Sequence, residues 1–349
     1  MALEKLMTEP EYRQVDAISY SKLAGVAKSP ASLIATEKLE TPSLTYGSAV
    51  DTYAFDGEEE FKKKFAIMSG DPPSTTIETI VNEVITIVQS KDLNGEIKGT
   101  LDDHDELILT VAKSHGYGQG SITWKDETII RKVKDEGGRK LYAFKKDTLG
   151  KLILNDLDYS KVVNSVHTLY THDFTKRWFN EDLDNRIEIT FQYPIFWIYE
   201  GRKCKCLLDI FCIDHKNKVI YPVDLKTSYD HVLGFPFNYL KWGYPIQASF
   251  YSKAVTYWKL ENPQYLDYRV DFFRFVIISS QNPMKPLVYK TTEHDLWVGE
   301  HGGIIKRTGE TFKGFKQLIY DMEWHIENGL YDYPREIYEM NGEVELDVF

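Results

Sequence analysis

Two aspartates and a lysine carry the chemistry this 349-residue chain is best equipped for. In the run Val219 to Thr227, VIYPVDLKT, a β-prone segment closes on Asp224-Leu225-Lys226, and a second acid, Asp209, ends LLD upstream. Two carboxylates and one ammonium delivered by adjacent strands are what a divalent cation and a hydrolytic water require. The spacing alone is common, since Glu60-Phe61-Lys62, Glu96-Ile97-Lys98 and Asp214-His215-Lys216 share it. Only the triplet at 224 closes a continuous apolar strand, where a charged pair is costly unless something compensates it. The polar cluster Asp214 to Lys218 lies between two apolar runs and reads as a hairpin turn.

Strand residues two apart share a face, so Lys226 points to the same side as Asp224, where it can steer a water and contact a phosphate. Asp209, Asp224 and the backbone carbonyl of Leu225 offer hard oxygen ligands of the kind Mg²⁺ takes while keeping several waters. The competing reading of Asp224 and Lys226 is a structural ion pair at a strand end. Gln247 and Tyr251, four residues apart, would stack on one face of a helix. On their own they read equally well as the polar edge of a core helix.

The elements that must position these groups fall into three zones. Ser19 to Lys28 reads as a capped helix stopped by Pro30, and Tyr46 to Phe55 as a second helix beginning at Gly47. From about Pro72 to Asn164 the pattern is helical and polar, with Ile77, Ile80, Val81, Val84 and Val88 on one face. Within it, residues 115 to 139, including KVKDEGGRK, read as a flexible loop. From Ile187 onward, IEITFQYPIFWI, KCKCLLDIFCID and KVIYPVDLKT form three β-like runs, the last two joined by the HKN turn. Pro245 opens a helix bearing Gln247, Tyr251, Ala254, Val255 and Trp258, and VDFFRFVIIS with KPLVYKTT makes a further strand pair. A long amphipathic helix with Phe312, Phe315, Leu318, Ile319, Met322 and Ile326 on its apolar side ends at Gly329.

Apolar content of 42% with 14% aromatics excludes a disordered chain and supplies a sizeable core. The organisation read from this is one domain over 1–349 with a mainly helical insertion at 72–164. A net charge of −11 opposes polyanion binding by the molecule as a whole, yet leaves room for a local basic channel. Cys204, Cys206 and Cys212 share one β-like stretch and read as packing thiols in a reducing compartment. MALEKLMTEPEY lacks an apolar signal core and no window offers a spanning apolar run, so a cytoplasmic location is expected, without membrane partners.

Strands bearing D and DxK, followed by a helix bearing QxxxY, resemble the PD-(D/E)xK nuclease superfamily, specifically its RecE-like and RecB-like phage exonuclease branch. Four segments carry the resemblance: GSAVD at Gly47 to Asp51, Asp209, Asp224-Leu225-Lys226-Thr227, and YPIQASFY at Tyr244 to Tyr251. Together they span most of the chain. The resemblance implies an α/β (α+β), restriction-endonuclease-like core with a central mixed sheet flanked by helices. It implies a Mg²⁺-dependent DNA exonuclease, with Mn²⁺ as the alternative ion, resecting linear duplex 5′ to 3′. The single-strand product would feed a single-strand annealing protein in phage recombination or replication, within the host cytoplasm, and relatives often assemble as homo-oligomeric rings. Gln247 and Tyr251 would organise the site and the DNA backbone.

Two positions depart from that pattern. Asp51 stands where the RecB-like branch often carries the histidine of GxxxH; it reads as a metal-approaching carboxylate or as a capping or packing acid at a helix N-terminal turn. Gln192 stands where many relatives place a glutamate, and can ligate through its amide oxygen without adding negative charge. Glu188, four residues earlier, supplies the carboxylate if the strand register differs. These departures and the acid excess keep open a catalytically weakened DNA-binding or assembly module, and an endonuclease of the same fold is a further alternative. Arg202, Lys203, Lys205, Lys241, Trp242, Lys176, Arg177 and Trp178 are candidates to track DNA. Each is more often an ordinary surface or core residue.

Overall fold

The apolar runs that begin at Ile187 build a mixed sheet in the order β1 (Ile187–Tyr199), β2 (Arg202–Asp214), β3 (Val219–Ser228), β4 (Arg274–Ser279) and β5 (Leu287–Lys290). The computed structural model describes residues 7–35, 41–120, 123–180, 186–306, 308–344 and 346, so the first six residues of the N-terminal stretch lie outside it. Within it the chain forms two compact units, residues 1–55 with 161–349, and residues 56–160.

Hairpins join β1 to β2 and β2 to β3. Glu200 and Gly201 turn the first at φ 46° and 81°. At the second, Asp214 Oδ1 accepts the Asn217 N–H at 2.9 Å, the local bond expected of a turn aspartate. Strands β3 and β4 run parallel, so the chain must cross over the sheet between them. Helices α3 (Phe235–Lys241) and α4 (Tyr244–Glu261) make that crossover. The unit is therefore mixed α/β, a central mixed sheet flanked by helices, as the sequence predicts.

Helix α1 (Tyr20–Lys28) is capped by Ser19, whose side chain accepts the Lys22 N–H. It packs with α4 and α6 (Phe315–Asn328) around Leu23, Ile195, Trp197, Phe250, Phe273 and Phe315. Gly329 closes α6 at φ 66°. A side chain at Gly299 in α5 (Glu293–His301) would overlap the Pro245 carbonyl, so this glycine sets how closely α5 and α4 approach.

Several element boundaries differ from the sequence reading. Helix α2 covers Pro42–Phe55 and so begins before Tyr46, which places Asp51 inside the helix rather than at its N-terminal turn. Phe312 belongs to a two-residue strand, and Ile326 faces solvent. The stretch at 115–139 is not simply a loop: Asp126–Val133 is helical and buries Ile129 and Val133. The sequence there places glycines on both sides of an apolar pair at helical spacing, and the pair's burial decides the outcome. The expected face of Ile77, Ile80, Val81, Val84 and Val88 is buried on the helix Thr75–Ser90, within the 56–160 unit. The three cysteines are free and buried, and burial pushes the thiols of Cys204 and Cys212 up to about 12.

Strand β2 pairs with β3 only over Ile210–Asp214, which would leave its first half with an open edge. Ile18 closes part of that edge: its N–H donates to the Lys203 carbonyl at 2.9 Å, and its carbonyl accepts the Lys205 N–H at 2.8 Å. The buried Lys205 ammonium donates to the carbonyls of Tyr12, Arg13 and Val15 at 2.9, 3.2 and 2.6 Å, pinning the end of the helix Glu9–Gln14 to the sheet. Replacement by Lys205→Met keeps the stem and removes the ammonium donor from three carbonyls, of which that of Tyr12 retains the Val15 N–H, so stability should fall by about 1–3 kcal/mol. Urea denaturation measures this, and an unchanged midpoint would show that water replaces the ammonium.

Candidate active site

The site arises where β2 and β3 part. Ile210 and Val223 form the last paired rung, so the next rung sets Asp209 opposite Asp224. On the other side of β2, Gln192 occupies the position facing Asp209 between the rungs Phe191–Ile210 and Tyr193–Leu208. Gln192, Asp209 and Asp224 therefore form one polar row across three strands. Gln192 holds φ 52°, a left-handed conformation unusual for its residue type inside a strand. Such strain, of order 1 kcal/mol, persists only where surrounding contacts impose it.

Three of the four carboxylate oxygens accept a hydrogen bond from the protein. Gln192 Nε2 donates to Asp209 Oδ1 at 3.1 Å, and the Leu225 N–H donates to Asp209 Oδ2 at 2.9 Å. The side chain of Asp209 thus takes the backbone donor that a continued β2–β3 ladder would have used. Gln247 Nε2 donates to Asp224 Oδ1 at 2.6 Å. Lys226 Nζ lies 2.7 Å from Asp224 Oδ2, an ion pair whose geometry still leaves that oxygen without a well-directed hydrogen bond. Gln247 Oε1 is buried and also lacks a partner.

Charge in this row is out of balance. Burial, then the negative charges of Asp224 and Asp51, hold the Asp209 carboxyl well above the usual aspartate range. Burial opposes the Lys226 ammonium, yet Asp224, Tyr244 and Asp209 outweigh it and raise the lysine above its ordinary value. Lys226 also sits 5.1 Å from the Tyr244 ring centroid. Its side chain is 22% exposed while Asp224 is closed over, so the site opens to solvent at the lysine.

The donor set fits a hard divalent cation. Asp209 and Asp224 have lone pairs beyond those already engaged, and two buried acceptors, Asp224 Oδ2 and Gln247 Oε1, lack a directed hydrogen bond. A strand residue directs its N–H and C=O to the same side, so the Leu225 carbonyl faces the same gap as the N–H that reaches Asp209. A cation bound there would relieve the repulsion that raises Asp209. Among the described residues no three His, Cys, Asp or Glu side chains form a ligand cluster by themselves, so the set rests on two carboxylates, backbone and amide oxygens.

The structure thus brings Asp209, Asp224, Leu225, Lys226, Gln247 and Gln192 together. Asp51 is near enough for its charge to act on Asp209, and Gly47 lets α2 approach β3, since a Cβ there would lie 3.0 Å from Thr227 Oγ1. Tyr251 is buried on the same helix face as Gln247, its ring edge-on to Tyr20 at 6.3 Å. Glu188 lies elsewhere, accepting from His215 Nε2 at 3.0 Å, so Gln192 holds the position beside Asp209. Of the basic candidates, Arg202 is held by Glu323 at 2.5 and 2.7 Å, Lys205 is buried, and Lys176 pairs with Asp173 at 2.5 Å. The sequence reading assigned no role to Tyr244, although it lies in the quoted YPIQASFY segment, nor to Tyr20, which no local pattern connects to a site more than two hundred residues away.

A mixed α/β sheet that opens on two opposed carboxylates and a lysine defines a class of site, a candidate hydrolytic metal centre. No protein-family model matches the chain, and no curated protein gives a significant match. Among solved structures, the crystal structure of a "putative exonuclease" from Eubacterium rectale is a distant neighbour. It is 14% identical, with a TM-score of 0.33, over 89% of this chain and 97% of that one.

Gln192→Glu tests the metal fit. A third carboxylate beside Asp209 should lower stability in chelator by about 1–2 kcal/mol through like-charge repulsion. It should also enlarge the stabilisation given by added Mg²⁺, because binding to the folded state alone raises stability. Thermal melts with and without Mg²⁺ read both effects, and a variant whose response to Mg²⁺ matches the wild type would count against a cation at this row.

Proposed function

We propose that this chain is a metal-dependent deoxyribonuclease, a RecE-like exonuclease of the PD-(D/E)xK superfamily that resects linear duplex DNA from 5′ to 3′. The observation that supports it best is the opposition of Asp209 and Asp224 one rung beyond the last β2–β3 pair, with Lys226 at the rim. The ordered segments Gly47 to Asp51, Asp209, Asp224 to Thr227 and Tyr244 to Tyr251 supply the family and the substrate.

On this reading Asp209, Asp224 and the Leu225 carbonyl hold Mg²⁺ or Mn²⁺, with Asp51 and Gln192 close by. The bound ion supplies a lowered pKa for a hydrolytic water and neutralises charge developing on the phosphate. The chain's own groups do the positioning. Gln192 and the Leu225 N–H fix both oxygens of Asp209, and Gln247 fixes the rotamer of Asp224. Lys226, partly exposed and already turned toward Asp224, orients the water and meets the scissile phosphate. Tyr251 backs Gln247 from the same helix face.

The resemblance alone supplies the remaining context: a single-strand annealing partner, a homo-oligomeric active form, and phage recombination or replication in a host cytoplasm. For the described residues, no helix is long and apolar enough to cross a membrane. One observation favours a second reading, a catalytically weakened DNA-binding or assembly module: the neutral Gln192 beside Asp209, where a further carboxylate would strengthen metal binding.

Degradation of linear duplex DNA in Mg²⁺ decides between them. Asp209→Asn and Asp224→Asn should each lower the rate by at least about 100-fold, the scale seen when a group stabilising transition-state charge is removed. Lys226→Ala should do likewise while retaining DNA binding. Closed circular DNA should survive; nicking of it would point to an endonuclease, and binding without cleavage by the wild type would point to the inactive module.

A further inference from the structure

Trp242 lies between α3 and α4 on the segment that leaves β3 after the catalytic triplet, and it is 42% exposed. Two ammonium groups converge on its indole, Lys28 from α1 at 4.8 Å and Lys241 at 4.9 Å from the ring centroid. Both lysines are exposed, and among the described residues no carboxylate pairs with either. That sets them apart from the many lysines and arginines of this acidic chain that are spent in ion pairs, such as Lys313–Asp321 and Arg202–Glu323.

The indole is tied to the candidate site by short links. The Trp242 carbonyl accepts from Tyr20 Oη at 3.0 Å, and the Tyr20 ring is edge-on to Tyr251. Two residues further on, the Tyr244 ring lies beneath Lys226. The Cα atoms of Trp242 and Tyr244 can be no more than about 7.6 Å apart, the reach of two trans peptides.

We propose that Trp242, with Lys28 and Lys241, is a platform for one unpaired nucleotide of a DNA strand beside the catalytic row. The indole stacks on the base, and the two ammonium groups swing from the ring to the flanking phosphates. An exposed cation–π contact is weaker than base-on-indole stacking, so the exchange favours the nucleotide. A base inside a duplex has both faces covered by its neighbours, which restricts the occupant to an unpaired or frayed nucleotide. The platform takes its substrate class from the nuclease reading, and its role would be to hold a strand already separated at the end of the duplex.

Fluorescence anisotropy with a short single-stranded oligodeoxynucleotide and a blunt duplex, using the full chain in EDTA so that nothing is cut, tests this. Trp242→Ala should weaken single-strand binding about 10-fold, while Trp242→Phe should stay within about 3-fold, because stacking needs a ring rather than an indole. The double change Lys28→Ala with Lys241→Ala should flatten the salt dependence by up to about 1.4 in log–log slope, about 0.7 per lost phosphate contact. Single-strand binding by Trp242→Ala equal to wild type, in a protein with an unchanged melt, overturns the platform even if the wild type degrades linear duplex in Mg²⁺. Conversely, weakened binding in Trp242→Ala alongside a wild type that never cleaves leaves the platform standing and removes the nuclease reading.

Discussion

The hydrogen bond from the Leu225 N–H to the Asp209 carboxylate is the constraint on which the site depends. At the rung where β2 and β3 separate, a buried backbone donor would otherwise lose its strand partner, at a cost of about 1–3 kcal/mol. Asp209 supplies the acceptor in place of a carbonyl. The ladder can therefore end one rung before Asp224 without an orphaned donor, and the Asp209 carboxylate occupies the gap so created. The same bond turns the Leu225 carbonyl toward the gap. If Asp209 holds a cation, structural satisfaction and ligand geometry would be one interaction that cannot be varied in two parts.

That arrangement concentrates negative charge in a place with limited water. Lys226 offsets part of it, and two glutamine amides, from Gln192 and Gln247, contribute donors without adding charge. What is left is a surplus of acceptor oxygens and a carboxyl whose proton affinity is raised by burial and by its neighbours. A packed core would not retain such a surplus for stability alone, because breaking the balance of a buried ionic group costs more than an apolar replacement. The left-handed backbone at Gln192 falls at the residue whose amide donates to Asp209.

How much of this was legible in the sequence depended on whether the deciding contacts were local. The Asp224-Leu225-Lys226 triplet stood out because a charged pair closes an apolar run, and the facing of Lys226 followed from strand periodicity alone. The helix of Gln247 and Tyr251 was signalled by Pro245, and the cap of α1 by Ser19. Asp51 was expected at a helix start and lies inside α2, because the helix begins a turn earlier than Gly47 indicated. The positive φ of Gln192 left no trace in residue type, since glutamine has no preference for the left-handed region. Arg202 and Lys205 looked like free basic residues for the same reason: their partners, Glu323 and the carbonyls near Tyr12, lie far along the chain.

Net charge is a sum, and a polyanion reads a distribution. A chain of net charge −11 would be repelled from DNA if its charges were spread evenly over the surface. Here many basic side chains are neutralised in pairs with neighbouring acids, often at helical spacing, as with Lys62 and Glu58 or Arg335 and Glu339. Such exposed pairs add little stability, about 0–1 kcal/mol each, but they silence both partners as seen from a distance. Screening at physiological salt reduces what is left to a range of about 8 Å. An approaching phosphate backbone would therefore respond to whichever basic groups lie within that range of it, and hardly at all to the acidic total. Acidity of the whole and affinity for nucleic acid at one locus are compatible because electrostatics in salt water is local.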